Sequence, residues 1–183
     1  MRTLLLILLG GSLAGCLSQN PPPKVRWFMP AVDVSAASAR TERAPLQLMR
    51  VTASSHLRDA MVWRGGDVEL FFDELNKWGA TPAELVQDAL EDVFFAGAFT
   101  PTTSASSSRI EVDVRAFEGA QAEARIELVA SLRLESGAWI QRAFSASEQL
   151  KGRGAEELAR ALGRALERVA VDVGAWAETR LVP

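Results

Sequence analysis

The chain has 183 residues, of which 48% are hydrophobic and 23% charged, and its formal net charge is −3. This composition suits one globular domain and argues against a nucleic-acid-binding protein, which would need a strongly basic surface. Cys16 is the only cysteine, which excludes an internal disulfide, so packing alone must hold the fold together.

The first 15 residues have the three parts of an export signal: Arg2, an apolar run from Leu4 to Leu9, and small residues at the exit. The run is shorter than the roughly 20 apolar residues that a membrane-spanning helix needs. Leu13-Ala14-Gly15-Cys16 resembles the lipobox of bacterial lipoproteins. That resemblance implies a signal peptide over residues 1–15 and a lipid on Cys16. The alternative is a plain secretory signal with an incidental cysteine.

A short spacer separates this anchor from the domain. Residues 16–24 are interpreted as a lipid-anchored tether, because three consecutive prolines, Pro21 to Pro23, favour extended and solvated backbone. Residues 25–183 then form one domain. Residue 17 is leucine, whereas enterobacterial lipoproteins retained in the inner membrane carry aspartate there. By that resemblance we expect the anchor in the outer membrane, with the domain on its periplasmic face.

The first half of the domain is predicted to supply short strands and one helix. The predicted elements are a strand in Val25–Pro30, a loop over 35–43, a strand over Leu46–Thr52, a hairpin over Ala60–Phe72 around Gly65-Gly66-Asp67, and a loop over Phe71–Gly79. Thr81-Pro82-Ala83-Glu84 is a capping box with proline at the first helical position. The apolar stripe that follows it predicts an amphipathic helix ending near Gly97.

The second half is predicted to form a three-strand meander followed by a helix. After a loop over 101–108, apolar and polar residues alternate strictly through Ala116, again over 122–134, and more loosely over 138–146. Such alternation is typical of antiparallel strands with one buried face. Residues 156–176 carry an apolar stripe at helical spacing. Two amphipathic helices and a one-faced sheet predict an α+β, two-layer sandwich, with both helices on one face of an antiparallel or mixed sheet.

Taken together, these features resemble the ABC-type transport auxiliary lipoproteins, the PqiC-like family. The residues that carry the resemblance are the lipobox, Trp27-Phe28, Met61-Val62-Trp63-Arg64, Trp78-Gly79-Ala80-Thr81-Pro82 and Ala161-Leu162-Gly163-Arg164-Ala165-Leu166. The resemblance implies an auxiliary component of a transporter that moves lipid between the inner and outer membranes. It also implies docking to an MCE-domain periplasmic protein, with a ring of copies as a further expectation.

Little in the sequence indicates catalysis. His56, the only histidine, lies near Ser54, Ser55 and Asp59, so a hydrolase is an alternative, although sequence proximity does not assemble a triad. There is no Cys/His cluster with metal-ligand spacing and no phosphate-binding Gly-Lys-Ser/Thr loop. We therefore expect no metal, no other cofactor and no enzymatic activity.

Three tryptophans have two interpretations. Trp27, Trp63 and Trp78 are predicted to be core residues, and the alternative is contact with a partner, because aromatic residues are enriched at interfaces. For the whole protein, the alternative function is an outer-membrane assembly or secretion lipoprotein that supports a β-barrel partner, as LptE-like proteins do. The sequence leaves open whether the domain itself binds lipid.

Overall fold

The computed structural model describes residues 22–33 and 43–182. Its elements are β1 (Arg26–Phe28), β2 (Ala44–Leu48), β3 (Thr52–Ala53), β4 (Ala60–Arg64), β5 (Leu70–Trp78), α1 (Pro82–Ala96), β6 (Phe99–Pro101), β7 (Ser108–Ala120), β8 (Glu123–Arg133), β9 (Trp139–Gln149) and α2 (Ala155–Leu181). The strands form one mixed sheet that is not closed into a barrel, and the predicted α+β class is confirmed. Cys16, the tether up to residue 21 and residues 35–42 of the predicted loop over 35–43 lie outside the described residues.

The longest strand, β7, organises the sheet. One of its edges pairs with β8, which in turn pairs with β9, and both pairings are antiparallel. Its other edge pairs in succession with β2, β3 and β4, all three parallel to it. β5 runs antiparallel beside β4, and β1 and β6 pair in parallel with β5 and β2. The first half of the chain is thus a row of short strands laid along one long one.

Both helices pack against the same face of this sheet and against each other. The five inward side chains of β8, from Ala124 to Leu132, are no more than 1% exposed. Aromatic pairs in edge-to-face geometry extend the core, with ring centroids 5.6 Å apart for Phe94 and Phe99 and 5.3 Å for Trp78 and Phe117. The helices thus cover the apolar face of the alternating strands, as the sequence pattern predicts.

The predicted loop over 71–79 is wrong, because β5 continues to Trp78. The pairing with β4 jumps from Met61–Asp73 to Ala60–Lys77, so residues 74–76 bulge out of the strand. The Asp73 carboxylate closes the bulge by accepting the backbone N–H groups of Leu75 and Asn76, at 3.0 and 2.9 Å. A bulge interrupts period-two alternation, and for this reason the strand is not visible as a pattern.

A second bulge changes the face of β7. Val114 pairs with Leu128, and the next paired residue is Ala116, opposite Glu127. Arg115 is therefore an extra residue, and Phe117 rather than Ala116 faces the helices. The simple alternation predicted through Ala116 fails at this point, because the insertion of one residue reverses the side-chain direction of the rest of the strand.

Three other boundaries differ from the sequence prediction. The strand predicted over Leu46–Thr52 is split into β2 and β3, and between them the Val51 N–H donates to the side chain of Gln87 on α1, at 2.8 Å. β6 begins within a stretch that lacks alternation, at Phe99. The second helix continues past residue 176 because Ala177 is fully buried against the domain and gains from remaining helical.

The capping box at the start of α1 is confirmed. The Thr81 hydroxyl accepts the Glu84 N–H, and the Glu84 carboxylate accepts the Thr81 N–H at 2.8 Å. The Thr81 hydroxyl also donates to the Glu84 carboxylate. Both hydrogen bonds to the Glu84 carboxylate lower its pKa, and the one from the Thr81 backbone N–H has the larger effect.

This lowered pKa predicts a pH-dependent contribution to stability. A carboxyl group with a depressed folded-state pKa stabilises the fold above its unfolded pKa, and the stabilisation is lost as the pH falls through the folded pKa. We expect Glu84→Gln to lower Tm at neutral pH, and the difference from wild type to shrink below a pH of about 4. Thermal unfolding across a pH series, with Asp88→Asn on the same helix as the control, measures this. A difference that stays constant down to the acid limit would contradict it.

Candidate interaction surface

The residues that suggested a hydrolase are not assembled into a triad. His56 lies half-buried in the loop between β3 and β4. The Asp59 carboxylate instead binds Lys77, with 2.8 Å between Oδ2 and Nζ. The hydrogen bond between them lowers the pKa of Asp59 and raises that of Lys77. The one acid of this segment is thus used to fix β5 beside the start of β4.

The described part of the chain contains neither a group of side chains that could hold a metal ion nor a helix suited to crossing a membrane. Among residues 22–33 and 43–182, no three acidic, histidine or cysteine side chains are grouped closely enough to hold a metal ion. In the same residues, neither helix has the length and apolarity required to span a bilayer.

The three tryptophans differ in their surroundings. Trp78 is 1% exposed and packs on Phe117, so the core prediction is confirmed for it and a partner contact would require the core to open. Trp63 is half-buried and lies over Gly119, where its ring occupies the space of a side chain. Trp27 is 60% exposed on β1, so the core prediction is wrong for Trp27. The Lys77 ammonium lies 5.9 Å from the centroid of the Trp27 ring, within the range of a weak cation–π contact.

Exposed apolar side chains are concentrated on the side of the domain formed by β1 and β5. Of the nine large apolar side chains exposed in the described residues, seven lie on or next to these two strands. Four of them, Val25, Trp27, Met29 and Leu75, are called the edge cluster. The other three, Val68, Phe71 and Phe72, lie at the turn of the β4–β5 hairpin and are called the tip cluster. Exposed apolar residues grouped in this way mark surfaces that meet a protein or a membrane.

The hairpin that carries the tip cluster is fixed to the sheet by buried charges. Glu118 on β7 is fully buried and accepts two hydrogen bonds from Arg64 at the end of β4, at 2.6 and 3.1 Å. Arg125 on β8 donates a third, at 2.8 Å. The contact with Glu118 raises the pKa of Arg64 further above its already high value. Sequence reasoning missed this cluster, because its three members are brought together only by the pairing of β4, β7 and β8.

The segment after β1 is fixed just as closely. Pro30 is buried. The carbonyl oxygen of Ala31 lies only 2.3 Å from the position that a Cβ on Gly163 of α2 would take. The N-terminal segment therefore crosses α2 in backbone contact with the helix. A glycine inside a helix normally weakens it, and the structure shows that Gly163 provides room for this crossing.

Comparison with known proteins places this geometry in context. The family model of the ABC-type transport auxiliary lipoprotein component matches residues 29–174. The crystal structure of a Xanthomonas campestris protein of family DUF330 is similar, with a TM-score of 0.71 and 18% identity over 84% of this chain and 94% of that one. The crystal structure of an uncharacterised protein has a TM-score of 0.68 and 14% identity over 84% and 99%. A hypothetical protein from Chlamydia trachomatis has a TM-score of 0.53 and 7% identity over 75% and 97%. Identities this low show a shared fold alone. The curated proteins contain no match to the sequence.

Proposed function

Because this chain belongs to the family of ABC-type transport auxiliary lipoprotein components, we propose that it is the docking component of an MCE-type lipid transporter. In this proposal it has no catalytic role. A lipid on Cys16 holds it at the periplasmic face of the outer membrane, and it binds the MCE-domain protein that spans the periplasm. Any ATP hydrolysis belongs to the partner ATPase.

The observation that supports docking is the edge cluster. Trp27 is 60% exposed and Met29 is 59% exposed, although both lie in a segment whose neighbours Phe28 and Pro30 pack on the domain. A rigid strand that presents a tryptophan and a methionine to solvent resembles the anchor residues of protein interfaces. Lys77, which is paired with Asp59, lies beside Trp27, so this ion pair adds polar groups at the rim. We propose Trp27 as the partner contact.

Anchoring is tested at Cys16. We expect wild-type protein to incorporate labelled fatty acid in cells and to remain with the membranes, because two or more acyl chains together bind a bilayer stably. Cys16→Ser should lose the label and be released. Fatty-acid labelling that persists in Cys16→Ser would contradict the proposed lipidation site.

Docking is tested by capture from native membranes. After mild cross-linking, wild-type protein should recover an MCE-domain protein, and Trp27→Ala should recover it at a level lower by roughly tenfold, as expected for loss of an interface anchor. Trp139→Ala is the matched control, because Trp139 is 50% exposed but lies on β9, at the opposite edge of the sheet. Its recovery should equal that of wild type.

The same experiment separates the alternatives. Recovery of a β-barrel protein in place of an MCE-domain protein would favour the LptE-like assembly function. Cross-linked ladders of this chain alone would support the proposed ring of copies. Equal loss of the MCE-domain protein in Trp27→Ala and Trp139→Ala would contradict the edge cluster as the docking surface.

A further inference from the structure

We propose that the tip cluster is a membrane-contact site, and that the hairpin turn rests in the phospholipid headgroup layer of the bilayer that holds the lipid anchor. This inference rests on the proposed lipidation of Cys16. It goes beyond that proposal because it assigns a second contact with the bilayer, made by Val68, Phe71 and Phe72. One acyl anchor fixes a point on the protein, whereas a second contact fixes its orientation.

The register of β1 directs the tether towards the hairpin turn. β1 is parallel to β5, with Arg26 opposite Asn76 and Phe28 opposite Trp78. Because the strands are parallel, the N-terminal end of β1, which leads back to Pro22, points in the same direction as the N-terminal end of β5, which begins at Leu70 beside the turn. Pro22 lies only six positions after Cys16, a stretch that spans at most about 20 Å when fully extended. The described chain therefore runs from β1 back to Pro22 towards the same side of the domain as the hairpin turn, and Cys16 is six positions further back in the sequence.

The apolar side chains of the tip surround the hairpin instead of forming one face. Phe71 pairs across the hairpin with Trp63, and Phe72 pairs with Val62, so the two rings project from opposite faces. They are 51% and 46% exposed, and Val68 in the turn is 97% exposed. A docking partner with a single contact surface covers one face of a hairpin. A lipid layer surrounds an inserted turn on all sides. Apolar side chains on both faces of the hairpin therefore fit a lipid layer better than a single protein surface.

Other loops meet at the same end of the domain. Arg64 is opposite Ala120 at the end of β7, and the Leu150 N–H donates to the Ala122 carbonyl at 2.7 Å. The β7–β8 turn and the loop before α2 therefore lie beside the hairpin turn. Exposed Lys151 and Arg153 in that loop are suited to lipid phosphates, because basic side chains collect at membrane interfaces.

Apolar insertion, and not net charge, must provide the attraction. Asp67 and Glu69 are exposed in the turn itself and offset the basic residues of the neighbouring loop. Contact should therefore form on vesicles with few anionic lipids and persist at high salt. Trp27 of the edge cluster is set back from Leu70, the first residue of β5, by roughly 13 Å: Leu70 pairs with Arg64 and Lys77 with Ala60, four positions apart on β4, and Lys77 also pairs with Trp27. It remains free to bind a protein partner while the tip touches the bilayer.

The test places a fluorescent probe on the tip of the anchored protein. Val68→Cys and the control Val171→Cys, at a 49% exposed site on α2, are labelled with a bimane maleimide. The wild type receives the same reagent, because Cys16 is its only cysteine and reacts only if its sulfur carries no lipid. All three are reconstituted into vesicles of phosphatidylethanolamine and phosphatidylglycerol with doxyl-labelled lipid. The first residue of α2 is at the hairpin end of the domain, and Val171 lies about 24 Å further along the helix. The control position is therefore far from the tip cluster.

We expect doxyl quenching at position 68 to exceed that at position 171 by at least about threefold, because insertion by about 5–10 Å brings the probe to the quencher. Equal quenching at both positions, with wild-type Cys16 unreactive, would overturn the second contact and leave the anchor intact. A reactive Cys16 on protein that does not float with vesicles would overturn both. Shielding of position 68 only when an MCE-domain protein is added would show that the tip binds protein, and would also overturn the inference.

Discussion

Replacing Glu118 by alanine is expected to lower the free energy of unfolding by about 3 kcal/mol, the largest single effect we predict. Removing one member of a buried ion cluster leaves the remaining charges without compensation. Here the loss falls at the low end of the usual range, because Arg64 and Arg125 are 25% and 35% exposed and regain some water. Denaturant unfolding of the purified domain measures the change. The hairpin should also become more accessible to protease, since Arg64 ties its end to β7.

The control for this variant is Glu111→Ala. Glu111 lies on the same strand, is exposed, and pairs with Ser131 away from the charge cluster. Its substitution should change the free energy of unfolding by less than about 0.5 kcal/mol. Glu118→Gln keeps the shape and one acceptor oxygen, so its loss should lie between the two. If Glu118→Ala and Glu111→Ala were equally stable, the cluster would not hold the hairpin in place.

Gly163→Ala is expected to destabilise the protein by about 1–3 kcal/mol, although alanine normally stabilises a helix interior. The added Cβ would meet the Ala31 carbonyl oxygen at 2.3 Å, and that oxygen belongs to the backbone and cannot rotate away. The segment over residues 29–33 must therefore lift from α2. Denaturant unfolding gives the magnitude, and limited proteolysis should show new cleavage within this segment.

Two other glycines serve as comparisons for Gly163. Gly66 has nothing within 4 Å of the position that a Cβ would take, so Gly66→Ala should be neutral or slightly stabilising. Gly174 meets only the side chain of Val93 on α1, so Gly174→Ala should loosen the contact between the helices without exposing residues 29–33. If residues 29–33 resisted protease as well in Gly163→Ala as in the wild type, the crossing would be contradicted. The crossing matters for the proposed function because releasing it would lengthen the tether between the proposed lipid anchor at Cys16 and the domain.

Local sequence signals were sufficient for the helices and for most of the meander. The Thr81 capping box marked the first residue of α1, because its two hydrogen bonds join residues three apart in sequence. The alternation in β8 predicted every buried residue of that strand, since β8 itself contains no bulge and the extra residue in its pairing with β7 belongs to β7. The family resemblance rested on residues spread through the domain and is confirmed over residues 29–174.

The candidate surface was less accessible to sequence reasoning. Trp27 and Trp78 are the same residue type and each directly follows a basic residue, yet one is 60% exposed and the other 1% exposed. Trp27 lies on the outer strand of the sheet, and the side of that strand turned to solvent is set by its register with β5. The hairpin that carries the tip cluster is confirmed as predicted over Ala60–Phe72, but the continuation of its second strand to Trp78 was hidden, because the bulge in β5 breaks the alternation.

Short-range residue patterns were enough to establish the helix cap, the periodic faces and the resemblance to an export and lipidation signal, because each depends on residues close together in the chain. Long-range packing set the parallel row of β2, β3 and β4 along β7, the contact of Arg64 with Glu118, the crossing at Gly163, and the common direction of tether and hairpin turn. Each of these joins residues that are far apart in sequence. Pairing over such separations is selected by the packing of the whole domain, and no local pattern encodes it.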